Sequence, residues 1–269
     1  MPELPEVEMY RRFLAKHGLG RRLESLSIGD RRPLRGTPAS AFRPLVGRRF
    51  VATRRHGKYL FAEASGAGWL LFHFGMTGDL QRFDEDSEPR GSALVASLKF
   101  TDGNGIAFLD PRKFGRFGLV DDPDAFVRRR GLGADALDLS RPRFESLLRR
   151  RRGTVKALLL NQRVIAGVGN LYADEILFQA GLHPQASVAS LDARRMAGLF
   201  TAMKRVLRTA IDRGGDTRRL PRSYLLRHRD DDGRCPRCRA VLTKVRVAGR
   251  TSSYCPRHQR KPRNRPTLS

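Results

Sequence analysis

The chain has little of what marks secreted and membrane proteins. Its only three cysteines lie between Cys235 and Cys255, and an odd number crowded into one short region excludes the disulfide framework of a small secreted protein. Apolar runs such as residues 69–72 are far too short to cross a bilayer. The acidic start lacks the apolar core of a signal peptide. We therefore expect a soluble cytoplasmic protein with no membrane partner.

Acidic residues are also scarce beside basic ones. Lys and Arg number 53 against 27 Asp and Glu, which gives a formal net charge of +26 and an isoelectric point of about 11.4. Such an excess calls for a polyanionic partner, and nucleic acid is the first choice. The alternative is a basic surface that is simply solvated. A length of 269 residues allows two domains, each with its own core.

The hydrophobic pattern changes once along the chain, from β-rich to helical. After one N-terminal helix that is predicted to run from Pro5 to Gly18, short β-rich runs separated by turn residues are typical of a β-sandwich. A polar stretch at 121–143 then joins this half to a helical half. The spacing there predicts four helices, at 143–152, 154–161, 170–180 and after residue 190. We expect Asn170 and Ser190 to cap the last two helices.

Two short knuckles near the C-terminus have the spacing of a metal site. Cys235 and Cys238 are followed, after sixteen residues, by Cys255 and His258. Three thiolates and one imidazole suit a tetrahedral Zn²⁺, and the alternating segment between the knuckles predicts a hairpin. We expect one structural zinc ion per chain. The alternative is that these residues lie together by chance in an arginine-rich tail.

The start Met1-Pro2-Glu3 places a candidate nucleophile beside a carboxylate. A small second residue favours removal of Met1, which would leave Pro2 with a free secondary amine. A terminal amine titrates at about pH 8 rather than at the pH of about 10 typical of lysine, so it is reactive at neutral pH and can form a Schiff base. The alternative is structural, because the fixed φ of proline suits the first turn of a helix.

A glycine turn leads directly into a predicted helix at Gly167-Val168-Gly169-Asn170. Glycine lets the backbone approach a ligand closely, and a helix N-terminus offers free N–H groups and a positive dipole end to a phosphate. The alternative is an ordinary turn, since the pattern alone is weak.

All these features occur together in one known family. The chain resembles the formamidopyrimidine-DNA glycosylases along nearly its whole length through motifs in the order and spacing of that family: MPELPE at 1–6, HGKYL at 56–60, HFGMTG at 73–78, DPRKFG at 110–115, GVGN at 167–170 and the zinc knuckles. The resemblance implies an α+β multidomain protein with an N-terminal helix on a β-sandwich, a helix–two-turns–helix domain and a C-terminal zinc-finger hairpin. We expect these domains at 1–134, 135–230 and 231–260, with a basic tail at 261–269.

The resemblance also implies a reaction and the residues that perform it. The clamp would hold damaged double-stranded DNA around an extruded nucleotide, and Pro2 would attack C1′ of that nucleotide while Glu3 moves protons. The Schiff base would then cut the strand on both sides by successive eliminations. The resemblance counts Lys58 and Arg250 with the catalytic residues, since both match positions that hold phosphates around the flipped nucleotide.

Other positions match DNA-contacting or orienting residues of the family. The resemblance implies that Asn170 and His73 contact DNA and that Lys156 assists at a phosphate. Met76, Arg112 and Phe114 match the residues that fill the space left in the base stack, a role that makes physical sense because extruding a base costs a few kcal/mol that apolar wedges offset in part. Two carboxylates, Glu6 and Glu175, match residues that orient the site.

The chain departs from the family pattern at three places. Residues 214–219 begin the loop that closes over 8-oxoguanine in the family, but 220–233 is shorter, lacks the usual glycines and has His228 in the place of a tyrosine. His258 stands where the family has a fourth cysteine, and three thiolates with one imidazole remain a recognised zinc set. The basic residues at 260–265 extend past the usual end and predict a disordered arm that adds nonspecific affinity for DNA.

We therefore predict a monomeric bifunctional DNA glycosylase and abasic-site lyase of base excision repair that removes oxidised purines, namely formamidopyrimidines and 8-oxoguanine. An endonuclease VIII-like enzyme for oxidised pyrimidines is the alternative, which the short 220–233 segment favours and Leu4 opposes. A non-catalytic DNA-binding clamp is the alternative from another class, and the intact Pro2, Glu3 and Lys58 count against it. A zinc-finger repressor is opposed by the lack of a helix that reads as a major-groove reader.

Overall fold

The computed structural model describes residues 1–230 and 232–261. The chain divides into two compact units, Met1–Gly131 and Leu132–Ser269. Most of the predicted basic tail lies outside the described residues. No helix of the described part is long and apolar enough to cross a membrane.

The first unit begins with a single helix, α1 (Leu4–Gly18), which starts where a capping box between Glu3 and Glu6 satisfies free backbone N–H groups. Eight strands follow: β1 (Leu23–Ile28), β2 (Phe50–His56), β3 (Tyr59–Ala64), β4 (Gly68–His73), β5 (Asp79–Asp84), β6 (Leu94–Phe100), β7 (Asn104–Leu109) and β8 (Arg116–Val120). The unit ends with helix α2 (Pro123–Arg129), which Asp122 caps by accepting bonds from two backbone N–H groups.

The eight strands form two antiparallel sheets of four. One has the order β1-β6-β7-β5 and the other β2-β3-β4-β8. Aromatic side chains join the two inner faces, because Phe108 of the first sheet packs edge-on against Phe72 of the second at 5.7 Å between ring centroids. Val7 and Leu14 of α1 are buried in the same core. The predicted sandwich with an N-terminal helix is confirmed.

The second unit is mainly helical and ends in a hairpin. Its elements are β9 (Ala134–Asp135), α3 (Arg141–Arg149), α4 (Val155–Leu160), β10 (Ile165–Ala166), α5 (Asn170–Gln179), α6 (Ala193–Asp212), β11 (Thr243–Val247) and β12 (Arg250–Tyr254). β9 and β10 pair in parallel, and β11 and β12 pair in an antiparallel manner. The hairpin turn uses positive φ at Ala248 and Gly249, which matches the right-handed twist of the strands.

Three local predictions were wrong. The stretch read as a polar connection contains α2, because Asp122 and Pro123 start a helix there. The residue at the N-cap of α5 is Gly169, so that Asn170 is already helical. The long helix α6 is capped by Asp192, whose carboxylate accepts the Arg195 N–H at 2.7 Å. The Ser190 hydroxyl instead donates to the Ser187 carbonyl.

Candidate active site and DNA-contacting residues

The predicted nucleophile and its carboxylate lie at the start of α1. Pro2 is half-buried and follows an exposed Met1. The Glu3 side chain is 1% exposed, and its backbone N–H donates to Glu6 Oε2 at 2.8 Å. Glu6 therefore holds the backbone at Glu3, next to Pro2. This hydrogen bond is consistent with the orienting role that is predicted for Glu6.

Lys58 lies in the tight turn between β2 and β3. The Arg55 side chain holds this turn, since its Nη1 donates to the Gly57 carbonyl at 3.1 Å and its Nε donates to Glu8 Oε2 at 3.2 Å. Because Glu8 belongs to α1, this chain of bonds connects the helix that carries Pro2 to the turn that carries Lys58. Charge-assisted hydrogen bonds of this kind are stronger than neutral ones.

Two loops of the first unit, at 73–78 and 110–115, are joined by one buried carboxylate. Asp110 is fully buried and accepts the Thr77 hydroxyl at 2.6 Å and the Gly115 N–H at 2.7 Å. The loops also approach closely at Gly75, where an added Cβ would lie 2.5 Å from the Phe114 carbonyl carbon. Any other residue at Gly75 would therefore push the loops apart.

The joined loops present apolar side chains to solvent. Met76 is 41% exposed and Phe114 is 51% exposed, although residues of this size and polarity are usually buried. The Arg112 guanidinium lies over the Phe114 ring at 4.8 Å from its centroid. We call Met76, Arg112 and Phe114 the wedge residues.

His73 lies beside the wedge and is neutral at physiological pH. Burial lowers the pKa of His73 to about 4, and the positive charges of Lys58, Arg130 and Arg116 contribute to the same shift. Its Nδ1 accepts the Gly75 N–H at 3.2 Å. A neutral imidazole that accepts at Nδ1 carries its proton on Nε2, so His73 is a hydrogen-bond donor without a positive charge.

The second unit presents Asn170 and Arg250 from adjoining elements. Asn170 begins α5, and its amide nitrogen donates to the Thr251 carbonyl of β12 at 3.1 Å. Arg250 is exposed at the start of β12. The bond from Asn170 therefore holds the hairpin beside the N-terminus of α5, where anions are favoured.

Lys156 has a different place from the one predicted. It is fully buried, and its Nζ donates to Asp174 Oδ1 at 2.8 Å and to the Ser252 hydroxyl. A side chain with no exposed surface does not reach a phosphate, so we correct its assignment from DNA contact to positioning of the hairpin. The predicted DNA contact came from the resemblance to the family, which carries no information on the burial of Lys156 in this chain.

Asp174 is the centre of this arrangement, and sequence reasoning missed it. Besides Lys156, its oxygens accept the Ser252 hydroxyl at 2.8 Å, the Arg229 guanidinium at 2.8 Å and the Ser253 N–H at 3.1 Å. We call this group the Asp174 network. Its partners lie on α4, β12 and the segment after α6. These elements are far from Asp174 in the sequence, so the position of Asp174 near the start of α5 could not predict the contacts.

Glu175 anchors the segment that follows α6. Its carboxylate is fully buried and accepts the Leu226 N–H at 2.9 Å and the Gln179 amide at 2.7 Å. Burial raises the pKa of Glu175, and these hydrogen bonds oppose the rise. Leu220 and Leu225 of the segment are also buried, while His228 bonds to the Arg222 carbonyl at 2.8 Å.

The zinc residues converge as predicted. The ligand atoms of Cys235, Cys238, Cys255 and His258 all lie within 4.8 Å of one another, and the Sγ atoms of Cys238 and Cys255 are 3.6 Å apart. A tetrahedron of Zn–S bonds of about 2.3 Å has edges of about 3.8 Å, so the group fits the metal. The bound ion would crosslink the two knuckles and stabilise the hairpin that presents Arg250.

Comparison with known proteins gives a consistent match. The formamidopyrimidine-DNA glycosylase N-terminal domain matches residues 1–117, the formamidopyrimidine-DNA glycosylase H2TH domain matches 132–221, and the zinc finger found in FPG and IleRS matches 233–257. A curated formamidopyrimidine-DNA glycosylase from Halorhodospira halophila is 36% identical over 97% of this chain and 100% of the relative. One from Solibacter usitatus is 37% identical with the same coverage.

Solved structures match to a similar extent. MutM in complex with DNA containing carbocyclic 8-oxo-G has a TM-score of 0.86 at 30% identity. Lactococcus lactis Fpg in complex with DNA containing N7-benzyl-Fapy-dG has a TM-score of 0.87 at 29% identity. Both matches cover 97% of this chain and 100% of the other chain. With relatives this similar along almost their whole length, the protein belongs to the formamidopyrimidine-DNA glycosylase family.

Proposed function

We propose that this protein removes oxidised purines from double-stranded DNA and then cuts the strand at the resulting abasic site. Family membership confirms the predicted glycosylase class, its place in base excision repair and the structural zinc. We further propose that it acts as a monomer. The roles of individual residues, beginning with the nucleophile, are part of this proposal.

The reaction follows from the chemistry of a terminal secondary amine. After removal of Met1, the Pro2 nitrogen attacks C1′, and the bond from C1′ to the damaged base breaks. Glu3 gives a proton to the ring oxygen as the sugar opens, which leaves a cationic iminium between Pro2 and C1′. The iminium withdraws electrons and acidifies the C2′ proton. Loss of that proton expels the 3′ phosphate, and a second elimination expels the 5′ phosphate.

Contacts away from C1′ hold the DNA for this attack. Lys58, His73, Asn170 and Arg250 offer positive charges or N–H donors suited to phosphates, which fix the register of the duplex without reading its sequence. The wedge residues enter the base stack where the damaged nucleotide leaves it. Their exposure leaves them free for that insertion.

One observation carries the proposal: Glu3, a carboxylate that is 1% exposed, directly follows Pro2 at the capped start of α1. A buried carboxyl group directly beside the amine is placed to exchange protons with the opening sugar. A capping role alone needs an acidic or hydroxyl side chain there but gives no reason for the preceding proline.

A strand-cleavage assay tests the proposal. Duplexes carrying 8-oxoguanine, a formamidopyrimidine, an oxidised pyrimidine or an abasic site are incubated with the protein, and the ends of the products are identified. We expect cleavage of both oxidised purines, with phosphates at both ends of the gap. Efficient cleavage of the oxidised pyrimidine alone would favour the second candidate, an endonuclease VIII-like specificity, for which the shortened sequence at 220–233 is the motivation. No cleavage of any duplex would contradict the proposal.

A further inference from the structure

A cavity beside the wedge is lined by arginines that the proposed reaction does not use. It has a volume of about 410 Å³ and is bounded by Arg35, Tyr59, His73, Phe114, Gly115, Arg116 and Arg130. No carboxylate is among these lining residues. A pocket of this size admits a phosphate with part of its sugar.

Two of the arginines are held on one aromatic ring. The guanidinium carbons of Arg116 and Arg130 each lie 5.9 Å from the centroid of Phe126, a fully buried residue of α2. Cation–π contacts of this kind fix the position of a guanidinium while leaving its N–H groups free. We call Arg116 and Arg130 the arginine pair.

The charges of the arginine pair are uncompensated. Within residues 1–230 and 232–261, neither guanidinium makes a hydrogen bond or ion pair, and Arg116 Nε is buried without a partner. A buried donor without an acceptor costs about 1–3 kcal/mol. Burial and the nearby charge of Arg130 lower the pKa of Arg116, as expected when like charges lie close together. An anion in the cavity would relieve both penalties.

His73 adds a neutral donor to the same cavity. Its Nδ1 is occupied by the Gly75 N–H, so the proton on Nε2 remains for a ligand. Asp110 is the acidic group that faces His73, but both of its oxygens already accept hydrogen bonds from Thr77 and Gly115. The lining therefore offers donors and positive charge without a competing free carboxylate.

We propose that the arginine pair and the cavity around it bind a DNA phosphate next to the base step that the wedge enters. The location follows from Phe114, which lines the cavity and is also the more exposed of the two apolar wedge residues. The inference rests on the proposed function for the identity of the polyanion. It adds two phosphate-binding residues, Arg116 and Arg130, that the reaction itself does not require.

The salt dependence of binding to an undamaged duplex tests this inference without any chemistry. Arg130→Gln is the main variant because Arg130 is exposed and its loss leaves the core intact. Each lost phosphate contact lowers the slope of log affinity against log salt by about 0.9, so a fourfold rise in salt should weaken the wild-type protein about 3.5-fold more than the variant. Arg116→Gln, with its melting temperature measured, should give a similar change.

Arg128→Gln is the matched control. Arg128 is in the last turn of α2, and Arg130 is the C-cap residue of that helix. The Nη2 atom of Arg128 lies 3.8 Å from Asp122 Oδ2, and Arg128 does not line the cavity. Arg128→Gln removes the same charge as Arg130→Gln. If both variants lower the slope of log affinity against log salt equally, the effect is one of net charge and the proposed site is wrong. An unchanged slope for Arg130→Gln would overturn the assignment to a DNA phosphate.

A second arm separates the two sources of a phosphate group. Inorganic phosphate is added at constant ionic strength, and the melting temperatures of the wild-type protein and Arg130→Gln are compared. Phosphate could raise the melting temperature of the wild-type protein but not that of Arg130→Gln, while both proteins show the same salt dependence of DNA binding. That result would assign the cavity to free phosphate and contradict the DNA assignment. Because undamaged DNA is used, a failure of this inference is distinct from a failure of the strand-cleavage assay.

Discussion

The two units hold their functional side chains in opposite ways. In the first, Asp110 fixes the backbone of two loops and leaves Met76 and Phe114 exposed at their tips. In the second, the Asp174 network buries the charged side chain of Lys156 to hold the hairpin. It follows that the exposed wedge residues can be substituted without disturbing the hydrogen bonds of Asp110 that hold the two loops together. In the hairpin, by contrast, the supporting contacts themselves are made by buried charged side chains.

The largest effect is expected from removing a zinc ligand. Cys238→Ala leaves an incomplete ligand set, and structural zinc contributes about 10–16 kcal/mol of apparent binding energy in small zinc-finger peptides. We expect the variant to lose zinc and most of its DNA affinity together, since Arg250 stands on the hairpin that the metal stabilises. Zinc content by elemental analysis and DNA binding by titration check this, and wild-type affinity in a zinc-free variant would contradict the role of the hairpin.

The next largest effect should come from the Asp174 network. Asp174→Ala leaves the buried ammonium of Lys156 without its carboxylate, and breaking a buried pair in this way costs about 3–5 kcal/mol. Chemical denaturation measures the loss. Asp212→Ala, an exposed acidic residue of α6 in the same unit, is the control and should change stability by less than about 0.5 kcal/mol.

A second substitution sharpens this result. Adding Lys156→Met to Asp174→Ala also removes the buried positive charge and should recover part of the lost stability. If the double variant is as unstable as the single one, the penalty lies in the remaining hydrogen-bond partners, Ser252 and Ser253, rather than in the charge.

A smaller and pH-dependent effect is expected from His73 in the first unit. Its pKa is about 4 in the folded protein against about 6.5 when unfolded. The unfolded chain therefore binds the extra proton first, so folding stability is lost as the pH falls from about 6.5 to about 4, by at most about 3 kcal/mol. His73→Gln should remove that part of the pH dependence in denaturation curves. His17→Gln should remove less, because His17 is less buried, and an unchanged pH profile for His73→Gln would refute the shift.

The smallest effect on stability is expected from the wedge. Met76→Ala combined with Phe114→Ala removes half-exposed side chains and should change the free energy of unfolding by little more than about 0.5 kcal/mol. The same variant should lose more activity on 8-oxoguanine than on a preformed abasic site, because only a paired base must be extruded. Val51→Ala, an equally exposed residue elsewhere in the unit, is the control, and equal losses on both substrates would argue against the wedge role.

The sequence predicted the elements whose signals are local. Helical spacing predicted α1, and the knuckle spacing predicted the convergence of Cys235, Cys238, Cys255 and His258. It did not predict Asp110, Asp174 or the burial of Lys156, because these depend on partners far along the chain, such as Ser252 for Lys156. It also missed α2, since a seven-residue helix between arginines has too few apolar positions for a clear period.

The central claim is that Pro2 is the nucleophile, and borohydride trapping tests it most directly. The protein is incubated with an abasic-site duplex and borohydride, and any adduct is mapped by sequencing its N-terminal peptide. The account predicts a covalent adduct at Pro2 that Pro2→Gly weakens. An adduct at a lysine, an undiminished adduct in Pro2→Gly or no adduct at all would contradict it.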